Sequence, residues 1–541
     1  MDAKQQTPIP FNEPVLDYLP GSPERKKLKE TLDRLMSQEL DVPMIIGGKE
    51  VRTDNKVKLA PPHDHQHTLG YHHRGTGQHV QQAVDAALAA KPAWEAMPWE
   101  ERASIFMKAA DLISDPRRYE INAATMLAQS KTCHQSEIDA VCELVDFLRF
   151  NVQFMTEIYE QQPYSPPGVW NRMEYRPLEG FVFAITPFNF TAISGNLPTA
   201  PAMCGNTVVW KPADSQIYAA HFVMDVLREA GLPDGVINLV YVDGPDAGEV
   251  IFNHRDFAGL HFTGSTQVFK SLWKTVGQNI DTYRSYPRVV GETGGKDYVA
   301  VHPNSDAEQV AIALIRGAYE FQGQKCSAAS RAYLPESLYD DVMARMKKEL
   351  ADIKPGSPLD FRNFLTAVID KKAFDKITGY IDWAKEDADS EILIGGGYDD
   401  SKGYFVEPTV ILAKKPETRT MKEEIFGPVL TVYKYPDNDW EKILEYVDNN
   451  DYALTGAIFA KDRAVIEHAS RVLRHSAGNF YVNDKPTGSV VNQQPFGGGR
   501  GSGTNDKAGS MLNLLRWMSA RSIKETYAAP RDYRYGFMDA E

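Results

Sequence analysis

From Phe181 onward the chain alternates short runs of β-branched and aromatic residues with longer stretches of helical periodicity. That rhythm admits few folds, because neighbouring parallel strands can be joined only by crossovers of a dozen or more residues, usually helical. Residues 182–185, 207–211, 236–241 and 259–262 read as strands, and a helix over about 216–230 is stopped by Gly231 and Pro233. The last of these strands delivers Gly264 and Ser265 into the mouth of a helix that runs on from Thr266. The class is α/β, a parallel sheet wrapped by helices. A chain of 541 residues exceeds what one hydrophobic core sustains, so a second unit is required. It begins near Lys296 with a strand over 298–301 and a helix over 307–321, and it closes near Gly503. Residues 163–178, rich in proline and aromatics, and the tail 512–541 fit neither layer.

Several function classes fall away at once. The longest apolar stretches, 180–185 and 207–210, are far too short for a membrane span. A formal net charge of −14 argues against nucleic acid and anionic lipid, and it means that an anionic substrate needs local positive potential. Cys133, Cys142, Cys204 and Cys326 form no close ligand set and are too few for a disulfide scaffold, which implies a reducing compartment. No histidine pair has the spacing of a metal site, so no metal is expected. The start, Met1 to Gln6, has neither a signal core nor an Arg-rich transit pattern. A bacterial-type cytoplasm is expected, or a mitochondrial matrix for a eukaryotic source whose presequence is absent.

Chemistry concentrates around Cys326, in the run Phe321-Gln322-Gly323-Gln324-Lys325-Cys326-Ser327-Ala328. A lone free cysteine is more often a small buried hydrophobe than a nucleophile. Upstream, Gly291-Glu292-Thr293-Gly294-Gly295-Lys296 supplies a carboxylate among glycines, and Thr186-Pro187-Phe188-Asn189-Phe190 an amide donor. A thiol, a carboxylate and an amide suffice to make a carbonyl tetrahedral, hold its oxygen and later activate water. The dinucleotide fingerprint Gly-x-Gly-x-x-Gly is missing. Gly264-Ser265 offers an alternative, a strand, a tight turn and a helix amino terminus that present N–H groups and a hydroxyl to pyrophosphate.

These runs resemble the aldehyde dehydrogenase superfamily, as do Phe262-Thr263-Gly264-Ser265, Glu424-Ile425-Phe426-Gly427-Pro428-Val429 and Pro495-Phe496-Gly497-Gly498, all in the expected order. The resemblance implies a Rossmann-like NAD-binding domain (1–162 and 179–295), an α/β catalytic domain (296–511) and a small β oligomerisation arm (163–178 and 512–541), hence a homo-oligomer. It implies Cys326 as nucleophile, Asn189 with the Cys326 N–H as oxyanion donors, and Glu292 as the base for thioester hydrolysis. Thr186, Lys211, Gly264, Ser265, Thr266, Glu424 and Phe426 would face the cofactor. Asp214 stands where many members carry a glutamate against the ribose hydroxyls, and its charge opposes a 2′-phosphate, so NAD is expected over NADP. Without the resemblance, Asn189 reads as a turn residue and Lys211 as a surface lysine.

Local wording narrows the small-molecule substrate. Residues 136–150 read as a helix with a core stripe of Ile138, Val141, Cys142, Val145 and Leu148, while Ala140, Glu143, Phe147 and Phe150 share another face. An acid set among apolar neighbours usually has a partner. Ser194-Gly195-Asn196-Leu197, Tyr481-Val482-Asn483-Asp484-Lys485 and Ser502-Gly503-Thr504-Asn505-Asp506-Lys507 resemble the branch of the superfamily that oxidises L-glutamate gamma-semialdehyde to L-glutamate in proline breakdown. That likeness implies that Glu143 meets the substrate ammonium. Ser327, Gly488 and Ser489 would hold its carboxylate, and Phe190 and Phe496 would flank its methylenes. The rivals are a dehydrogenase of another acidic semialdehyde such as succinate semialdehyde, a CoA-acylating relative, and a non-catalytic binding protein on the same scaffold.

Overall fold

The computed structural model describes residues 6–540. The expectation drawn from the start of the chain therefore falls largely outside the described residues, as does the last residue of the tail.

Two seven-stranded sheets organise the molecule. In the first, the strands run in the order Arg288–Glu292, Phe257–Thr263, Phe181–Thr186, Thr207–Pro212, Ile237–Leu239, Met44–Ile46, Lys49–Val51. The first five are parallel and the last two form an antiparallel edge. Phe181–Thr186 is buried at all but one position, as expected of a strand covered by helices on both faces. The third expected strand is shorter than 236–241, and the hairpin Met44–Val51, which sequence periodicity does not reveal, extends the sheet edge. The helix Ile217–Ala230 ends where expected: Gly231 adopts φ +100°, the left-handed cap that glycine takes without strain.

Chain direction matters more than strand count. From Phe181–Thr186 the chain steps one way to Thr207–Pro212 and Ile237–Leu239, then returns to place Phe257–Thr263 on the other flank. Between the carboxyl ends of Phe181–Thr186 and Phe257–Thr263 the succession reverses, opening the crevice where ligands of such sheets bind.

The second sheet runs Ser390–Ile394, Thr409–Ala413, Val429–Tyr435, Arg331–Pro335, Tyr298–Val301, Thr455–Phe459, Asn479–Val482. All its pairings are parallel except the first. The helix Ala307–Tyr319 is capped by Asp306, which accepts from the N–H groups of Glu308 and Gln309. It stops two residues short of the expected 321, because Phe321 and Gln322 turn left-handed at φ +48° and +55°. Gly323 follows at φ +64°, where a Cβ would sit 2.2 Å from the Gly427 carbonyl oxygen. Gly323→Ala is expected to destabilise the protein by about 1–3 kcal/mol, read as a lower denaturant midpoint, and to misplace the cysteine loop.

Val169–Pro177 and Met518–Thr526 pair antiparallel over nine residues as a projecting ribbon. The tail joins it only from Met518. Met511–Leu515 is instead a short helix with Leu514 buried, packed on the helix Glu143–Tyr159.

Candidate active site

Two glutamines hold the cysteine loop. The Gln322 amide donates to the Ala367 carbonyl (2.8 Å) and accepts from the Thr366 N–H (3.1 Å), and Gln324 Oε1 accepts from the Ile369 N–H (2.9 Å). Thus fixed, Cys326 stands where two cavities meet: it lines both, together with Ile193 and Thr263. The residue is half-buried. Burial, with the carboxylates of Asp297, Glu292 and Glu424, pushes the thiol well above its ordinary value, while its own N–H pulls the other way. The backbone is thus the one favourable influence among these, and Lys325 gives little help, since its ammonium sits 3.3 Å from Asp139.

Asn189 is buried, and its amide donates to the Gln324 carbonyl at 3.0 Å, aimed at the cysteine loop from across the cavity. Glu292, at the end of Arg288–Glu292, accepts from the Gly498 N–H at 3.3 Å and lines the other cavity. Burial raises its pKa well above the carboxylate range, reinforced by Asp506 and opposed by the Gly498 N–H and Lys507. A raised pKa makes the Glu292 carboxylate, once formed, a stronger proton acceptor than an ordinary surface acid.

The cavity of about 470 Å³ lies at the crevice of the first sheet, lined by Thr186, Asn189, Lys211, Gly264, Ser265, Glu424 and Phe426. Its groups suit a dinucleotide. The amino end of the helix Thr266–Gln278 opens here. Among the described residues the Lys211 ammonium donates to the Pro212 carbonyl alone, at 3.5 Å, and burial lowers its pKa. Glu424 accepts from the Gly295 N–H at 2.9 Å, and a Cβ on Gly294 would fall 2.4 Å from its carboxylate, so glycine keeps that acid approachable. Three expected contacts change character. The Ser265 hydroxyl caps its own helix by accepting from the Val268 N–H, which leaves its O–H and the backbone N–H groups as donors to phosphate. The Thr186 hydroxyl is engaged by Ser194 and Trp210. Thr266 faces an adjoining pocket with Lys376 and Glu424, where its hydroxyl accepts from the Gly294 N–H. Asp214 is paired with Arg74 at 2.8 Å, so its charge is partly neutralised.

The second cavity, about 410 Å³, collects Glu143, Phe190, Ser327, Gly488, Ser489 and Phe496 around Cys326. Glu143 begins the helix Glu143–Tyr159, which continues a turn of π-helix over Glu137–Cys142. The wider turn inserts a residue into the helical phase. Ile138, expected in the core stripe, is therefore half-buried and lines the cavity beside Glu143 and Phe147. Burial and Asp139 raise the Glu143 pKa well above normal, against the pull of Lys131 and Lys325. The Ser327 hydroxyl hydrogen bonds with that of Thr487 (2.7 Å).

The profile of the aldehyde dehydrogenase family matches residues 50–523. The chain belongs to this family. It is 52% identical over 528 residues, 97% of the chain and 96% of the relative, to the delta-1-pyrroline-5-carboxylate dehydrogenase of Agaricus bisporus. It is 49% identical over 540 residues to the mitochondrial enzyme of that name from Dictyostelium discoideum, covering 99% of the chain and 97% of the relative. Among solved structures, the Mycobacterium tuberculosis delta-pyrroline-5-carboxylate dehydrogenase bound with NAD superposes with a TM-score of 0.96 at 52% identity, covering all of both chains.

Beyond the groups that the family motifs point to, the structure adds a buried ionic cluster. Lys131 sits 2.8 Å from Asp139, which also holds Lys325, and the Lys131 ammonium lies 4.3 Å over the Phe190 ring. Lys485 lines the same cavity and donates to the Thr487 carbonyl at 3.0 Å. Lys325 and Lys485 thus bring cations to a cavity that also carries the acids Asp139, Glu143 and Glu292. The wording Asn483-Asp484-Lys485 could have flagged Lys485. Nothing local flags Lys131, whose partners come from other elements.

Proposed function

We propose that the chain is an NAD-dependent dehydrogenase of L-glutamate gamma-semialdehyde, the open form of pyrroline-5-carboxylate, yielding L-glutamate in proline catabolism. One observation carries this reading: Cys326 lies between a dinucleotide-type cavity and a second one that combines an acid, Glu143, with the hydroxyl and N–H groups of Ser327, Gly488 and Ser489. Those groups match the ammonium and carboxylate of an α-amino acid. The names of relatives at about half identity, and the NAD in one of their structures, support the same reading.

The Cys326 sulfur, once deprotonated, adds to the aldehyde carbon, and the oxygen takes its negative charge against the Asn189 amide and the Cys326 N–H. When bound, NAD supplies the acceptor for the hydride that leaves this carbon. The acyl group stays on the sulfur as a thioester. Glu292 takes a proton from water, whose oxygen adds to the acyl carbon, and the carbon–sulfur bond breaks to release the acid, the departing sulfur taking up the proton that Glu292 holds. Thr186, Lys211, Gly264, Ser265, Glu424 and Phe426 would hold the cofactor, with Thr266 setting the backbone beside Glu424. Phe190 and Phe496 exclude water from the reacting carbon.

The projecting ribbon suits a homo-oligomer contact, and four unpaired cysteines suit a reducing cytoplasm or matrix. This reading assigns residues 1–162 with 179–295 to NAD binding and 296–511 to catalysis.

Comparing glutamate and succinate semialdehydes tests the substrate. Glu143→Ala is expected to raise the KM for the amino-acid substrate by about 30-fold or more, because a buried partner for its ammonium is lost, while sparing succinate semialdehyde, which has none. A wild-type preference for succinate semialdehyde, or a product formed only with CoA, would transfer the assignment to that rival.

A further inference from the structure

Resting on the function just proposed, we infer that the amino-terminal segment 12–18 is the outer wall of the aldehyde site and that Asn12 is a positioning residue selecting substrates with an amino-acid head group. The segment precedes the stretch matched by the family profile, which begins at residue 50. Yet Asn12, Glu13 and Val15 line the same cavity as Cys326, Glu143 and Ser489.

Asn12 ties together the two elements that carry the ends of the head-group site. Its Nδ2 donates to Asp146 (2.8 Å) and to the Val491 carbonyl (3.0 Å), and its Oδ1 accepts from the Gln493 amide (2.9 Å). Asp146 lies three residues after Glu143, one turn along the same helix face. Val491 and Gln493 lie just beyond Gly488 and Ser489. One side chain therefore fixes the width between the acid that meets the ammonium and the loop that meets the carboxylate.

The wall is bolted down, which separates it from a mobile lid. The Glu13 N–H donates to Asp146 at 2.7 Å, and its carboxylate is held between Arg118 (2.6 Å) and Arg149 (2.7 Å). Tyr18 is buried and donates to Glu137 at 2.7 Å. Four elements thus grip a segment of seven residues. A small aldehyde such as propanal needs only the Cys326 end of the cavity and is indifferent to this width.

Asn12→Asp keeps the size but removes both donors and sets a carboxylate against Asp146. It is expected to raise the KM for glutamate semialdehyde about tenfold while leaving kcat with propanal and the KM for NAD within about twofold. Adding Asp146→Asn restores a donor opposite the new carboxylate and still accepts from the Glu13 N–H, so the double variant should recover most of the lost KM. Asn12→Ala, which removes the donors without adding charge, should show the same split between substrates should Asn12→Asp fail to fold. Equal losses on both aldehydes, an unchanged KM, or no recovery in the double variant would overturn the inference. Should the wild-type protein not oxidise glutamate semialdehyde at all, the proposed function falls and this inference with it. Should it do so while every Asn12 variant behaves as wild type, only the inference falls.

Discussion

Cys326→Ala is expected to abolish NADH formation with glutamate semialdehyde, by about 10⁴-fold or more, without impairing NAD binding measured by fluorescence titration. Removing a nucleophile removes the covalent route, and neither the Asn189 amide nor Glu292 can replace the bond that the sulfur makes. The fold should tolerate the change, since among the described residues no other side chain is hydrogen bonded to that sulfur. The same thiol predicts a pH dependence. Its pKa lies well above the ordinary thiol value, because burial and neighbouring carboxylates disfavour the anion. The thiolate fraction at neutral pH is therefore small and grows as pH rises, so alkylation by iodoacetamide should accelerate steadily into the alkaline range. Cys326→Ala should lose the label on that peptide, mapped apart from the half-exposed Cys133. Cys204, buried and pushed up to about 12, should contribute none. A variant that keeps wild-type turnover would remove the covalent route altogether.

Glu292→Gln should lower steady-state turnover about 10²- to 10⁴-fold yet leave a first burst of NADH close to one equivalent per site. The substitution keeps an oxygen for the Gly498 N–H and removes only the capacity to take a proton from water. Acylation precedes that step, so the enzyme should accumulate as thioester, visible as an added mass on intact protein. In the wild type, raising pH deprotonates Glu292 and speeds hydrolysis, because its pKa is raised rather than lowered. That limb of the profile should flatten in the variant. Loss of the burst along with turnover would instead place Glu292 before hydride transfer, as the base for Cys326.

The local chemistry of the site was legible because short runs carry it. Cys326, Glu292, Asn189 and Gly264 each sit in a motif of four to eight residues, and the structure brings Cys326 to the junction of the cavities, Glu292 to the wall of one, and Asn189 and Gly264 to the wall of the dinucleotide cavity. The central strands were legible for a related reason, since a strand covered on both faces reads as a continuous apolar run. What escaped depends on distance along the chain or on a broken period. The edge hairpin Met44–Val51 is too short to show alternation. A 3.6-residue period cannot anticipate the π turn at Glu137–Cys142, so it puts Ile138 in the core although the residue faces the cavity. The Lys131–Asp139–Lys325 cluster draws on separate elements, and Asn12 meets Val491 across 479 positions. No short window of sequence joins Lys325 to Asp139 or Asn12 to Val491.

The ribbon imposes a timetable on synthesis. Val169–Pro177 has no partner strand until Met518–Thr526 has been made, which at ordinary translation speeds leaves it open for roughly 20 to 70 s. Through that interval the nascent chain displays an unpaired edge nine residues long, bearing Trp170, the kind of template on which neighbouring polypeptides nucleate aggregates. A ribosome stalled before residue 518 would release a product whose two sheets can be complete but whose edge stays sticky. Such fragments should depend on chaperones far more than the finished chain does.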